Sequence, residues 1–142
     1  MNIGHMAITV KDMEKSLRFY TEGFGMQKAF ELARPETGEP WIVYVYVGKG
    51  QFIELFYGGE NSYSWDEKDR AYNHLCFAVE DIQESVNRLE NAGYEMEKPI
   101  KLGCDGNYQA WIRDPDGVRI EIMQLGDTSP QYEAMRRFGE EV

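Results

Sequence analysis

The sequence has little cysteine, little proline and no long hydrophobic run. Its two cysteines among 142 residues, Cys76 and Cys104, are too few for a disulfide framework and do not form the CxxC of a zinc knuckle, so we expect reduced thiols. Five prolines exclude a collagen-like chain. No stretch has the apolar length of a membrane span, and charges interrupt the first twenty positions, where a signal peptide would be apolar. We therefore expect a cytoplasmic protein with no membrane partner.

Positive charge is also scarce. Fifteen Lys and Arg face 25 Asp and Glu, which gives a net charge of −10 and an isoelectric point near 4.7. Such a chain repels a phosphate backbone at long range, so nucleic acid is not an expected partner. A small ligand is not excluded, because a local cation can dominate the field inside a pocket.

The chain contains the same unit twice. Residues 3–16 align with residues 72–85, and His, Val, Asp and Ser are identical at four aligned positions. In each copy, alternating apolar residues predict a strand, and the Asp that follows (Asp12 or Asp81) is suited to cap a helix. Glu84 is placed to complete a capping box with Asp81. Glycines at the end of each helical pattern predict its termination.

Three strands are predicted to follow each helix. They are residues 27–32, 41–47 and 51–56 in the first half, and 94–98, 108–113 and 118–123 in the second. Residues 33–40, 57–71 and 99–107 are predicted loops, and Ser129-Pro130 predicts a C-terminal helix that reaches about Phe138. The prediction is an α+β fold of two βαβββ modules, about 3–57 and 72–125, in one domain spanning 1–142.

Four polar side chains are predicted on the face that the helices leave uncovered. The apolar neighbours of Glu54 and Glu121 along each last strand alternate with them, so both carboxylates share a face with His5 and His74. Taken singly, a strand histidine is usually structural and an uncovered glutamate is usually solvated. Together they supply four N and O donors and two negative charges, which match a divalent cation and leave positions for water or substrate.

The sequence resembles the vicinal oxygen chelate superfamily at these residues, and the short bacterial glyoxalase I enzymes in particular. The resemblance covers about residues 3–125. Its motifs are Gly4-His5 with the following Val10-Lys11-Asp12, the stretch Phe19-Tyr20 to Gly25-Met26, Ile53-Glu54-Leu55, His74, and Asp114-Pro115-Asp116-Gly117 leading into Ile120-Glu121. The superfamily folds its paired modules into a cup-shaped mixed sheet around a metal.

The resemblance implies a function for each of the four polar residues. His5, Glu54, His74 and Glu121 become ligands of a divalent metal, with Ni²⁺ or Co²⁺ favoured and Zn²⁺ also permitted. The reaction is that of a lyase or isomerase: a small substrate with two adjacent oxygens loses a proton through a metal-stabilised enediolate. Glu121 is the first choice for the base, with Glu54 on the opposite side. A homodimer with shared sites is implied as well.

Two positions depart from the glutathione-using members of the family. Those members carry an arginine four residues after the first histidine and an asparagine four after the second ligand, where this sequence has Thr9 and Gly58. The thiol of the substrate is therefore left open. Tyr57, Tyr63 and Trp65, which follow Glu54, fit either a pocket lining or a dimer contact. The alternatives are an epimerase similar to methylmalonyl-CoA epimerase and a metal-free resistance or binding protein.

Overall fold

The strands and helices follow the order βαβββ twice, with one helix after them. A computed structural model describes residues 2–141. The first series is β1 (His5–Thr9), α1 (Met13–Arg18) continued by a π-helical turn (Phe19–Gly23), β2 (Gln27–Ala33), β3 (Pro40–Gly48) and β4 (Gln51–Phe56). The second is β5 (Leu75–Ala78), α2 (Ile82–Asn91), β6 (Lys98–Leu102), β7 (Tyr108–Arg113) and β8 (Arg119–Gln124), and α3 (Pro130–Arg137) ends the chain. The predicted α+β repeat is confirmed. Within residues 2–141, every helix is too short or too polar to span a bilayer.

Each series of strands forms its own four-stranded mixed sheet. The strand orders are β1-β4-β3-β2 and β5-β8-β7-β6. In both sheets the first strand runs parallel to the last, and the other neighbouring strands are antiparallel. The strand that carries the glutamate therefore lies in the middle of its sheet, directly beside the strand that begins at or just after the histidine.

The chain divides into two compact units. The first unit runs to Ser64 and also contains Asp114–Gly117, and the second consists of Trp65–Arg113 and the chain from Val118 onward. In the first unit, Phe19 and Tyr20 are fully buried with apolar residues of β3 and β4. In the second unit, α2 packs on β7 and β8 through its buried side chains, Ile82, Val86 and Leu89. Every second residue of these strands faces the helix, and most of these residues are apolar, which explains why apolar and polar residues alternate in the sequence there.

The turn Asp114–Gly117 is bound to the first unit by its two carboxylates. Tyr20 donates its hydroxyl hydrogen to Asp114 Oδ2 at 2.8 Å. Asp116 accepts the Lys11 backbone N–H at 3.0 Å and the Ser16 hydroxyl at 3.1 Å. The predicted connection between β7 and β8 is thus a hydrogen-bonded part of the first unit.

Helix caps agree with the sequence. Asp12 accepts the backbone N–H of Lys15 at 3.1 Å, and Asp81 accepts that of Glu84 at 2.9 Å. The Glu84 side chain lies 3.8 Å from Arg88 instead of returning to the cap, so the expected capping box has only its Asp81 half. At the far end of α3, helix geometry stops at Phe138 as predicted.

The prediction is wrong for one strand. Residues 94–97 are not a strand, and β6 begins at Lys98, inside a segment that is partly predicted as a loop. Pro99 and the neighbouring lysines made the segment look like a loop. Because β6 is the edge strand of its sheet, a residue without a backbone N–H is tolerated there, and the pairing with β7 is irregular between Lys98 and Lys101.

Candidate metal centre

The first unit brings His5 and Glu54 together. Parallel pairing aligns His5 with Phe52 and Ala7 with Glu54, so the histidine and the glutamate project from the same face. His5 Nδ1 lies 3.5 Å from Glu54 Oε1. Glu54 is only 7% exposed, which makes a carboxylate without a cationic partner costly at this position.

Tyr44 completes the surroundings of Glu54. It is directly opposite Glu54 across β3 and β4, and its hydrogen bond to that carboxylate is the main cause that raises the pKa of the Tyr44 hydroxyl. Its ring stacks on Phe30 with centroids 4.3 Å apart and meets Phe52 edge-on at 6.1 Å. The uncovered face around this glutamate is therefore aromatic.

The second unit brings His74 and Glu121 together. His74 lies just before β5, and its Nε2 is 3.0 Å from Glu121 Oε2. Glu121 is 6% exposed. The other ring nitrogen of His74, Nδ1, is 2.7 Å from Asn73 Oδ1. A ring that donates from Nδ1 to Asn73 turns its Nε2 lone pair toward the carboxylate, which is the orientation of a metal ligand.

Trp111 occupies in the second unit the position that Tyr44 occupies in the first. It is directly opposite Glu121 across β7 and β8, and its ring meets the His74 ring edge-on at 4.9 Å. The sequence reasoning missed both aromatic residues. A signal was available, because Tyr44 and Trp111 each precede the glutamate of their own half by ten residues.

Cys76 also adjoins this carboxylate, as the partner of Glu121 across β5 and β8. Burial, together with the negative charge of Glu121, raises the pKa of the Cys76 thiol to about 12. The thiol is thus held in its protonated form near neutral pH, which is the opposite of a thiolate nucleophile. Cys76 and Cys104 are both free thiols in the structure.

The other residues that the sequence singled out belong to neither pair. Thr9 ends β1 and is exposed, and Gly58 has a φ of +94°, a conformation that favours glycine. Tyr57 donates to Glu31 Oε1 at 3.0 Å, and Tyr63 is half exposed. Trp65 packs on the guanidinium of Arg119, within the second unit. Neither Thr9 nor Gly58 offers a charged group to a substrate.

The donor chemistry fits a divalent cation. Each unit supplies one imidazole and one buried carboxylate, and two such pairs provide two nitrogens, at least two oxygens and two negative charges. Among residues 2–141 there is no group of three or more His, Cys, Asp or Glu side chains arranged to hold a metal ion. Among the described residues, the four predicted ligands therefore form two pairs, His5 with Glu54 and His74 with Glu121.

Comparison with known proteins agrees with the fold and the motifs. A sequence model of the glyoxalase/bleomycin resistance protein/dioxygenase superfamily matches residues 2–122. A Vibrio parahaemolyticus protein named "probable lactoylglutathione lyase" is 33% identical over 138 residues, 91% of this chain and 94% of that protein. A Neisseria meningitidis lactoylglutathione lyase is 30% identical over 94% of this chain and 99% of its own length.

A solved structure supports the same assignment. The glyoxalase family protein from Enterococcus faecalis superimposes with a TM-score of 0.72 and 27% identity, over 86% of this chain and 96% of that one. The duplicated βαβββ order, the two mixed sheets and the sequence match over residues 2–122 lead to one conclusion. The chain belongs to the glyoxalase/bleomycin resistance/dioxygenase superfamily, the vicinal oxygen chelate proteins.

Proposed function

We propose that this protein is a metal-dependent lyase or isomerase of the glyoxalase I type. The observation that carries the proposal is the duplicated pair: a histidine and a buried glutamate lie within 3.5 Å in the first unit and 3.0 Å in the second, at equivalent places in the two sheets. Burial of two carboxylates beside two imidazoles is expensive for a purely structural purpose. It is the expected arrangement for residues that hold a cation.

His5, Glu54, His74 and Glu121 would hold the metal, which we propose to be Ni²⁺ or Co²⁺, with Zn²⁺ also compatible. When bound, a divalent ion acts as a Lewis acid that polarises two adjacent oxygens of a substrate. The Asn73 contact to His74 Nδ1 supports the ligand role, because it orients the ring and leaves Nε2 directed toward Glu121.

Glu121 is the proposed base. It is buried, so it meets substrate in a site with little water, and a carboxylate in reach of an acidic C–H can carry the proton from one carbon to its neighbour. Glu54 is the proposed partner on the opposite side of the substrate, and Tyr44 lies directly opposite it across β3 and β4. The names of the relatives support a hemithioacetal of a 2-oxoaldehyde as substrate.

The thiol part of that substrate is expected to differ from glutathione in this chain. Thr9 and Gly58 replace the guanidinium and the amide with which the glutathione-using relatives are expected to hold the tripeptide. Loss of a guanidinium removes a charge-assisted contact to a carboxylate. The proposal therefore covers thiol adducts in general, and the thiol must be found by comparison.

The proposal is tested by turnover of methylglyoxal adducts of glutathione and several smaller thiols, with the metal content measured in the same samples. We expect Glu121→Gln to lower kcat by about 10²–10⁴-fold, the usual contribution of a general base, while part of the metal stays bound. Glu31→Gln, an exposed carboxylate on β2, is the matched control and should leave turnover unchanged. Near-normal turnover of Glu121→Gln would refute the assignment of the base.

A further inference from the structure

The second unit contains an arginine held between two indole rings. The guanidinium carbon of Arg119 lies 3.8 Å from the ring centroid of Trp111 and 4.6 Å from that of Trp65. Arg119 is 9% exposed, although it is a charged residue in a strand. Stacking on two aromatic faces fixes the plane of the guanidinium and leaves its N–H edge for other partners.

Two buried donors of this arrangement are unpaired. Among residues 2–141, no acceptor lies within hydrogen-bond distance of Arg119 Nε or Trp65 Nε1. The nearest carboxylate oxygen, Glu97 Oε1, is 3.7 Å from Arg119 Nε, beyond hydrogen-bond distance, because the other oxygen of Glu97 pairs with Arg113 Nε at 2.8 Å. Buried N–H groups are nearly always paired in folded proteins. Because the Arg119 guanidinium packs on the Trp65 ring, one acceptor group placed beside the two residues would serve both donors.

The charge of the surroundings favours an anionic acceptor. Arg113 and Arg119 are directly opposite each other on β7 and β8, and Glu97 is the carboxylate paired with both. The two guanidinium groups thus face one another across a strand pair, where like charges are unfavourable. A second carboxylate would relieve that repulsion and pair with the guanidinium edge.

The position of Arg119 connects it to the proposed chemistry. Arg119 and Glu121 lie on the same face of β8, two residues apart, which is about 6–7 Å along a strand. The ring of Trp111 contacts both Arg119 and His74. An anion bound at Arg119 thus lies one side chain away from the His74–Glu121 pair.

We propose that Arg119 and Trp65 Nε1 bind a carboxylate of the substrate and so select substrates that carry one a few bonds from the reacting centre. The inference rests on the proposed function and names its substrate class. Thr9 and Gly58 stand where glutathione-binding residues are expected, and Arg119 would supply the carboxylate contact that they cannot make. Arg119 is a specificity-determining residue in this account, and Glu121 keeps the role of base.

The experiment uses two chelating probes of equal length and the tryptophan fluorescence of the purified, metal-loaded protein. The probes are the monohydroxamate of glutaric acid, which carries a carboxylate, and its neutral amide. Two of the three tryptophans flank Arg119, so binding there should change the emission directly. We expect the carboxylate probe to bind about tenfold or more tightly than the amide, as a charge-assisted hydrogen bond requires.

Variants separate the inference from folding effects. Arg119→Gln should abolish the preference for the carboxylate, Arg119→Lys should keep part of it, and Trp65→Phe, which keeps a stacking ring but removes the N–H, should reduce it severalfold. Arg88→Gln removes the same charge from an exposed site of α2 and should preserve the preference. If Arg119→Gln does not fold, Arg119→Lys and Trp65→Phe still decide the question.

Failure has two distinguishable forms. If wild-type protein binds both probes equally and only when loaded with metal, or if Arg119→Lys and Trp65→Phe leave the preference intact, the carboxylate site is refuted and the proposed function stands. If neither probe binds the metal-loaded protein any better than the metal-free protein, the proposed function fails as well.

Discussion

Individual side chains explain why each carboxylate of the candidate centre can be buried. Glu54 faces a histidine and a tyrosine hydroxyl, and Glu121 faces a histidine whose other nitrogen is engaged by Asn73. The histidines and glutamates could be predicted from repeat spacing and strand alternation, because both follow from the backbone. Arg119 could not, because its burial depends on Trp65, a loop residue whose position no local pattern specifies.

The buried hydrogen bond between Tyr20 and Asp114 gives a test at the scale of one residue. We expect Tyr20→Phe to lower the free energy of unfolding by about 1–3 kcal/mol, because a buried carboxylate loses a donor at 2.8 Å. Tyr57→Phe removes an exposed hydroxyl from Glu31 and should cost about 0.5 kcal/mol or less. Urea denaturation of both variants measures the difference. Equal losses in the two variants would contradict a structural role for the turn.

Among the elements, the helix starts were the most predictable and one edge strand, β6, the least. Asp12, Asp81 and Ser129 each cap a helix as the sequence predicted, because a cap is a local interaction between a side chain and the next turn. Strand β6 was misplaced because its pairing with β7 is set by tertiary contacts and includes a proline. The central strands β4 and β8, which carry the glutamates, were predicted within one or two residues.

The cap of α2 gives a test at this scale. We expect Asp81→Ala to lower the free energy of unfolding by about 1 kcal/mol, because the Glu84 N–H loses its acceptor at the start of the helix. Asp81→Ser keeps an acceptor of suitable geometry, so its free energy of unfolding should fall much less. Thermal and urea unfolding of both variants provide the comparison, and a serine variant as unstable as the alanine variant would show that the cap is not the cause.

The duplication organises the whole molecule. Both units use the same strand order to place one histidine beside one glutamate, and each unit contains one pair. The repeat was visible in the sequence because the aligned segments keep their chemistry at a constant spacing. The number of chains that build one metal site was not visible, since the family resemblance alone implies a dimer with shared sites.

Mixing two inactive variants tests that shared arrangement. If one site takes His5 and Glu54 from one subunit and His74 and Glu121 from the other, a dimer of His5→Ala with His74→Ala has one intact site. Random reassociation of equal amounts should then restore about a quarter of the wild-type activity, since half of the dimers are mixed and each has one of two sites. The separate variants serve as controls. No recovery from a mixture in which mixed dimers form would exclude sites shared in this way.

In the proposed function, two imidazoles and two carboxylates of this chain hold a divalent metal. The most direct measurement is the stoichiometry of Ni²⁺ or Co²⁺ binding to chelator-treated protein by titration calorimetry, with His5→Ala, His74→Ala and the exposed control Glu60→Gln beside the wild type. We predict one ion per chain for the wild type and for Glu60→Gln, and at least tenfold weaker binding for either histidine variant. Tight binding that survives both histidine substitutions, or no binding by the wild type, would show that these residues do not hold a metal.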